Sequence, residues 1–249
     1  MFIEWEVNMK KKSKFHRNYI RRLIIRIIIL IIMIGIYIFY PNAYEVAKGL
    51  NFFKLFSPLH IIWLIWMIDI ILQLCKVPSY WPLGAQKIWG YRYLPSIKEI
   101  DTKILKKYMK VINTDIIAVA ITWILVTAII GILYLTHTIS YQVVILCSTA
   151  FYVCDIICII GWCPFKTLYM HNKCCTTCRI FNWDHAMMFL PLIAIPGLWT
   201  YSLLLMSLSI LIVWEIACAV YPERFIEKTN CALRCSNCTD KLCGKNISE

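Results

Sequence analysis

Long apolar segments are the feature of this sequence that most restricts its fold. A helix that crosses a bilayer needs about 20 consecutive apolar residues. The chain is 60% hydrophobic and 16% charged, whereas about a quarter of the residues of a soluble domain are charged. The sequence therefore predicts an all-α integral membrane protein, a bundle of about six transmembrane helices, with apolar segments at 20–40, 58–75, 114–135, 141–161, 186–199 and 201–221.

The fifth apolar segment leaves two interpretations open. Pro191, Pro196 and Gly197 interrupt it, and irregular backbone at membrane depth has to be buried in protein. We expect a tight hairpin with a short fifth helix, and a re-entrant loop is the alternative. The first apolar segment is too long for the core of a cleavable signal peptide and lacks a small-residue cleavage site, so we expect a retained helix.

The distribution of Lys and Arg predicts the orientation. These residues concentrate in the N-terminal segment, the loop after the second apolar segment, the loop after the fourth and the tail, while the opposite side receives Lys48 and Lys54. Cytoplasmic loops carry such an excess, so we expect a multi-pass protein of the cell membrane with both termini cytoplasmic. The same bias explains the net charge of +12 without a nucleic-acid partner; the expected partner is the lipid bilayer.

These observations predict seven regions along the chain. The loop before the third apolar segment places Ile97, Ile100, Ile104 and Met109 opposite a lysine face, which is typical of a short amphipathic helix on the membrane surface. The regions are a basic cytoplasmic N-terminus (1–19), transmembrane helices one and two (20–75), a cytoplasmic loop with this amphipathic helix (76–113), transmembrane helices three and four (114–161), a Cys-rich cytoplasmic loop (162–185), transmembrane helices five and six (186–221) and a Cys-rich cytoplasmic tail (222–249).

Eight of the thirteen cysteines fall outside the apolar segments, in two groups of four. Both groups are predicted to lie in the cytoplasm, where thiols are kept reduced, so metal ligation is favoured over disulfides. Soft thiolates select zinc, copper(I) or iron–sulfur clusters. The candidate metal ligands are Cys163, Cys174, Cys175 and Cys178 in group one, and Cys231, Cys235, Cys238 and Cys243 in group two.

The spacing within each group leaves the number of metal sites open. Group two reads C-x3-C-x2-C-x4-C, and four thiolates this close along the chain suit a cubane cluster or a zinc ion. In group one the side chains of the adjacent Cys174 and Cys175 should diverge, so they should not share a metal. The stretch "GWCPF" resembles a segment of membrane-bound polyferredoxin-type proteins, but it covers five residues and we assign no family from it. One zinc held by Cys175, Cys178, Cys235 and Cys238 would instead join the loop to the tail.

Several further polar and thiol residues lie in or beside the apolar segments. Cys147, Cys154 and Cys158 share one helix face, and we expect them to pack against a neighbouring helix. Ionisable residues at membrane depth are candidates for function; Arg26 is the available counter-charge. In "NWDH", Asn or Asp is expected to cap the next helix, and His171 and His185 are minor candidates for ligands. The intramembrane ionisable candidates are Asp69, Asp155 and Glu215.

The leading functional hypothesis is a membrane-anchored redox protein. Iron–sulfur centres held by the two cysteine groups on the cytoplasmic face would pass electrons to or from a quinone or a protein partner. The first alternative is a non-enzymatic assembly or scaffold protein whose cytoplasmic cap is stapled by zinc. The second is a transporter that uses Asp69, Asp155 and Glu215. Walker, G-x-S-x-G, H-E-x-x-H and G-x-G-x-x-G motifs are absent from the sequence.

Overall fold

A computed structural model describes residues 14–75, 82–90, 92–96, 101–171, 174–238, 240 and 242. These residues form helices and turns without a β-strand, and short 3₁₀ turns connect several of the helices. The α-helices in this part of the chain are α1 (Lys14–Phe39), α2 (Asn51–Lys54), α3 (Leu59–Leu74), α4 (Leu83–Trp89), α5 (Thr102–Leu135), α6 (Tyr141–Ile160), α7 (Pro164–Leu168), α8 (Asp184–Phe189) and α9 (Leu198–Val220).

Four of the described helices, α1, α5, α6 and α9, are long and apolar enough to cross a membrane. Between 11% and 39% of the most apolar window of each is buried, so their exposed faces are largely aliphatic and fit contact with lipid. Helix α3 is equally apolar but has only 16 residues. The described residues therefore confirm an all-helical fold with four candidate membrane-spanning helices, whereas the six crossings and the Cys-rich cytoplasmic cap stay predictions.

The predicted fifth span is a short helix followed by a 3₁₀ turn. Helix α8 has six residues, and Pro191 begins the turn Leu190–Ala194, because a proline cannot donate the next helical hydrogen bond. The segment runs antiparallel to α3. At the start of the segment His185 contacts Asp69 of α3, and just after the end of the segment the Trp199 indole donates to the carbonyl of Leu59, the first residue of α3. Ten residues of α3 correspond to about 15 Å, roughly half the hydrocarbon thickness.

A close backbone contact ends this segment. Gly197 pairs with Gly49 in an isolated bridge, and the N–H of Gly49 donates to the Pro196 carbonyl at 2.8 Å. A Cβ on Gly197 would lie 1.9 Å from the Ala47 carbonyl oxygen, so no side chain fits at this position. The contact turns the chain into α9, which runs back parallel to α3.

The main core lies between α3, α6, α8 and α9 and is rich in aromatic side chains. The Trp66 ring packs edge-on against Tyr152, Phe189 and Trp199, with centroids 5.3 to 5.9 Å apart. Trp66 and Trp199 are almost fully buried. Such edge-to-face pairs contribute about 0.5–1.5 kcal/mol beyond the burial of their area. The apolar face of α8 is thereby fixed against two long helices.

Two helix starts differ from the sequence prediction. Helix α1 begins at Lys14, ahead of the predicted residue 20. Helix α5 is continuous over 34 residues from Thr102, and the Asp101 side chain accepts a hydrogen bond from the N–H of Lys103 at its start. The amphipathic helix predicted before residue 114 is therefore not a separate helix, because Ile104 and Met109 belong to the same continuous helix as residues 114–135. Its place on the membrane surface stays a prediction. Ile97 and Ile100 lie outside the described residues.

Helix α4 ties the cysteine loop to the tail. The buried Lys87 ammonium lies 2.7 Å from Oδ2 of Asp240 and 3.2 Å from Oγ1 of Thr176. Arg92 forms a second ion pair with the same aspartate at 2.6 Å. The side-chain amide of Asn230 donates to the Lys87 carbonyl. One short helix therefore contacts both cysteine-bearing segments.

Candidate thiol site

Three cysteine side chains meet at the end of α6. Cys158 lies in the last turns of α6, Cys163 directly precedes α7, and Cys175 begins a 3₁₀ turn. The side chains of Cys158 and Cys175 interact with the sulfur of Cys163, and all three line one cavity. The Cys175 thiol also lies 2.9 Å from the carbonyl oxygen of Cys158. These residues are referred to below as the thiol trio.

The local sequence explains why Cys163 occupies the centre of this trio. Helix α6 ends at Ile160 with Gly161 as its C-cap, and Pro164 starts α7 with a backbone angle that already suits a helix. Cys163 is thereby left in extended backbone as the N-cap of α7, where its sulfur accepts the N–H of Lys166 at 3.4 Å. The glycine–aromatic–cysteine–proline order thus turns this sulfur back toward α6.

The hydrogen bonds of the trio change its acidity. The pKa of Cys163 is held below the usual range of a thiol, because Cys158 and Cys175 donate to its sulfur and the N–H of Lys166 adds a further donor. The pKa of Cys175 is raised by its hydrogen bond to Cys163 and by burial. The trio therefore gives up its first proton more readily than an isolated thiol, and thiolate is the nucleophilic form.

The trio opens onto an apolar cavity of about 380 Å³, called the thiol cavity below. Ligand sites of proteins are typically apolar clefts of roughly 300–1,000 Å³ with a few polar groups. Ile157 and Trp162 on its wall are 44% and 60% exposed, so the cavity is reachable from outside the bundle. Its polar lining comprises the thiols of Cys154, Cys158, Cys163, Cys175 and Cys178 and the carboxyl groups of Asp155 and Asp184.

The structure brings together three of the four predicted ligands of group one. Cys163, Cys175 and Cys178 line the thiol cavity. Cys174 instead lies 3.2 Å from the hydroxyl of Thr176. The predicted divergence of the adjacent Cys174 and Cys175 is therefore confirmed.

The described cysteines of group two, Cys231, Cys235 and Cys238, are not part of the thiol cavity lining, and Cys231 contacts the segment that follows α4. The N–H of Cys231 donates to the Leu94 carbonyl at 2.7 Å, and Cys235 opens a 3₁₀ turn that ends before Cys238. Cys243 lies outside the described residues. Within the described part of the chain, no three His, Cys, Asp or Glu side chains are arranged as a metal site. The iron–sulfur and zinc ligand sets stay predictions.

Each of the three carboxylates predicted to lie at membrane depth has a partner in the structure. Asp155 pairs with Arg26 at 2.7 Å, which is the counter-charge expected from the sequence. Glu215 accepts hydrogen bonds from Arg179 and from the Trp183 indole at 2.8 Å. The partner of Asp69 is His185, at 3.4 Å.

Sequence reasoning missed three residues that line the thiol cavity, and it misjudged His185, which lies outside that lining. Cys154 and Cys158 were expected to pack against a neighbouring helix, whereas both line the thiol cavity. The five-residue step from Cys158 to Cys163 was the available signal. Asp184 and His185 were also misjudged: Asp184 is the first residue of α8 and the helix has no side-chain cap, so the predicted N-cap is wrong. His185 is almost fully buried between two carboxyl groups.

Comparison with protein-family profiles, with curated protein sequences and with solved structures finds no match.

Proposed function

We propose that this chain is a membrane-bound thiol redox protein that exchanges two electrons with an apolar, quinone-type carrier in the thiol cavity. The observation that carries the proposal is the hydrogen-bonded thiol trio on the wall of that cavity. Oxidation joins two sulfurs of the trio in a disulfide, and the two electrons reduce the carrier to its quinol. A protein dithiol would reduce the disulfide again by exchange through a mixed disulfide.

The shape and lining of the cavity support a carrier with a flat apolar ring. Trp123, Phe151 and Phe165 contribute aromatic faces beside the thiols. A quinone ring and the first part of its tail match the size of this space and its aliphatic mouth at Ile157. The membrane supplies such carriers directly, because a reachable apolar cavity beside lipid-facing helices takes up lipid-soluble molecules.

The proposal includes the orientation predicted from the sequence. Six crossing segments with both termini cytoplasmic would place the loop after α6 and the tail in the reducing compartment, where reductants for the trio are available. The basic segments support this orientation. Labelling of the exposed Cys235 with a membrane-impermeant maleimide from each side of sealed vesicles tests it; reaction from the outer side alone would contradict it.

The central experiment mixes anaerobically purified, reduced protein with decylubiquinone. We expect one quinol to form for every two thiols lost, and mass spectrometry of alkylated peptides should find the new disulfide within the trio. Cys163→Ser should abolish the reaction, because it removes the sulfur that both neighbours contact. Cys147→Ser is the matched control, since Cys147 is on the same helix but outside the cavity lining.

Two outcomes would contradict the proposal. Unchanged thiol content after mixing with quinone would show that the protein does not reduce the quinone. Full activity of Cys163→Ser would show that the thiol trio does not carry out the reaction. Metal and sulfide analysis of the same preparation separates the remaining hypotheses. Iron with inorganic sulfide would favour the iron–sulfur centre predicted from the sequence, and zinc alone would favour the zinc-stapled scaffold.

A further inference from the structure

His185 lies between two carboxyl groups inside the bundle. Its Nε2 is 3.4 Å from Oδ2 of Asp69 on α3, and its Nδ1 is 3.1 Å from Oδ2 of Asp184, its neighbour on α8. The residue is 4% exposed. A histidine in this position can take up a proton at one ring nitrogen and release one at the other.

The two carboxyl groups lie at opposite ends of a short path. Asp184 lines the thiol cavity together with Cys163. The Asp69 side chain is 40% exposed and lies five residues before Leu74 at the end of α3, about 8 Å along the helix axis. The path Asp69–His185–Asp184 therefore connects the thiol cavity to the outer surface of the bundle, near one end of α3.

The surrounding charges leave these three residues available for proton transfer. Arg26 is engaged by Asp155 at 2.7 Å and by the Tyr152 carbonyl at 2.6 Å, so this cation is already neutralised. Oδ1 of Asp184 and Nδ1 of His185 are both buried and form no hydrogen bond among the described residues, so the 3.1 Å contact between His185 Nδ1 and Asp184 Oδ2 is one of distance. The charged and titratable groups that surround His185 are Arg26 of α1, Asp69 of α3, Tyr152 and Asp155 of α6, and Asp184 of α8.

We propose that Asp69, His185 and Asp184 form a proton relay that supplies the thiol cavity. The inference rests on the proposed thiol redox function. Two sulfurs of the trio release two electrons when their disulfide forms, together with one proton for each sulfur that was a thiol. Reduction of a quinone to a quinol takes up two electrons and two protons at the quinone oxygens, so a proton has to enter the cavity whenever one of the two sulfurs was a thiolate. Asp69 receives it from the membrane interface near the end of α3, His185 passes it on, and Asp184 delivers it to the quinone oxygen.

The test follows the oxidation of fully reduced protein by decylubiquinone after rapid mixing at neutral pH. His185→Gln should lower the rate constant at least about tenfold, because proton transfer by a positioned side chain typically contributes a factor of about 10² or more. Added imidazole should restore much of the rate by replacing the missing ring. Asp69→Asn should slow the reaction in the same way, because it removes the entry to the relay.

The control is His60→Gln, which removes a histidine that hydrogen-bonds to the Phe52 carbonyl, away from the thiol cavity. Wild-type rates in both His185→Gln and Asp69→Asn would overturn the relay while leaving the redox function intact. A slow His185→Gln that imidazole does not restore, together with a normal Asp69→Asn, would also overturn it, since the histidine would then be structural. Failure of wild-type protein to reduce the quinone would overturn the proposed function itself. If His185→Gln does not fold, Asp69→Asn decides the test.

Discussion

The sulfur atom of Cys163 is the most reactive position of the thiol trio, because both other thiols interact with it and its pKa is lowered. It also accepts a hydrogen bond from the N–H of Lys166. The same donors that position this sulfur also stabilise its thiolate form, so geometry and reactivity have one cause. Cys163 is buried, and a reagent therefore reaches it through the thiol cavity.

The lowered pKa of Cys163 predicts how its alkylation depends on pH. A thiol whose pKa is lowered by folding keeps its thiolate form at pH values where an ordinary thiol, with a pKa of about 8.5, is protonated. We expect folded protein to react with iodoacetamide at Cys163 down to lower pH than urea-unfolded protein does. Peptide mass spectrometry across a pH series measures this. Superimposable profiles for folded and unfolded protein would show that the hydrogen bonds do not stabilise the thiolate.

Among the individual residues of the site, Cys163, Cys175 and Cys178 could be predicted from the sequence, because they lie close together in a polar loop between apolar segments. The sequence could not indicate Cys158 with the same strength, since a thiol in an apolar helix is indistinguishable by sequence from a packing residue. The contact between Asp69 and His185 joins α3 to α8 across 116 residues. Such a pair depends on tertiary packing and carries no local signal.

Among the elements, the short segment from α8 to Gly197 determines where the thiol cavity and the relay lie. Phe189 packs against Trp66, which fixes the face of α8 that carries His185. At the other end, the bridge between Gly197 and Gly49 holds the segment in register with the turn before α2. A shift of this segment along α3 would separate His185 from Asp69.

Gly197→Ala should destabilise the protein by about 1–3 kcal/mol, the usual cost of forcing extra atoms into a packed site. The new Cβ would meet the backbone of Ala47 at 1.9 Å, and backbone cannot move away as a flexible side chain can. Thermal unfolding in detergent measures the change. Gly35→Ala is the matched control, because nothing lies within 4 Å of a Cβ at that helical position. Equal midpoints for the two variants would show that the bridge tolerates a side chain.

Helix positions were predictable to different degrees. The bounds of α3 and α6 agree with the apolar segments, because each begins and ends where the apolar pattern does. The start of helix α5 was predicted too late, since its first twelve residues mix lysines with apolar residues and resemble a surface helix. Pro191 correctly marked the end of regular helix in the fifth segment. Periodicity shows that residues are helical but does not show where one helix joins the next.

For the whole molecule, the buried ion cluster at α4 decides whether the loop and the tail act as one unit. Lys87 and Asp240 are almost fully buried, and Arg92 adds a second cation to the same carboxylate. Lys87 also contacts Thr176, the residue after Cys175. The Lys87 side chain therefore connects the tail, at Asp240, to the residue next to Cys175 of the thiol trio.

Asp240→Asn should release the tail from α4. The substitution leaves the buried Lys87 ammonium without its counter-charge, and breaking a buried ion pair on one side typically costs about 3–5 kcal/mol. Limited proteolysis should then cut between α9 and the C-terminus much faster than in wild-type protein, while α1, α5, α6 and α9 stay protected. Glu227→Gln removes the same charge from an exposed position of the tail and should leave the proteolysis rate unchanged. If Asp240→Asn is as resistant as Glu227→Gln, the ion cluster does not hold the tail, and the two cysteine groups have no mechanical connection through Lys87.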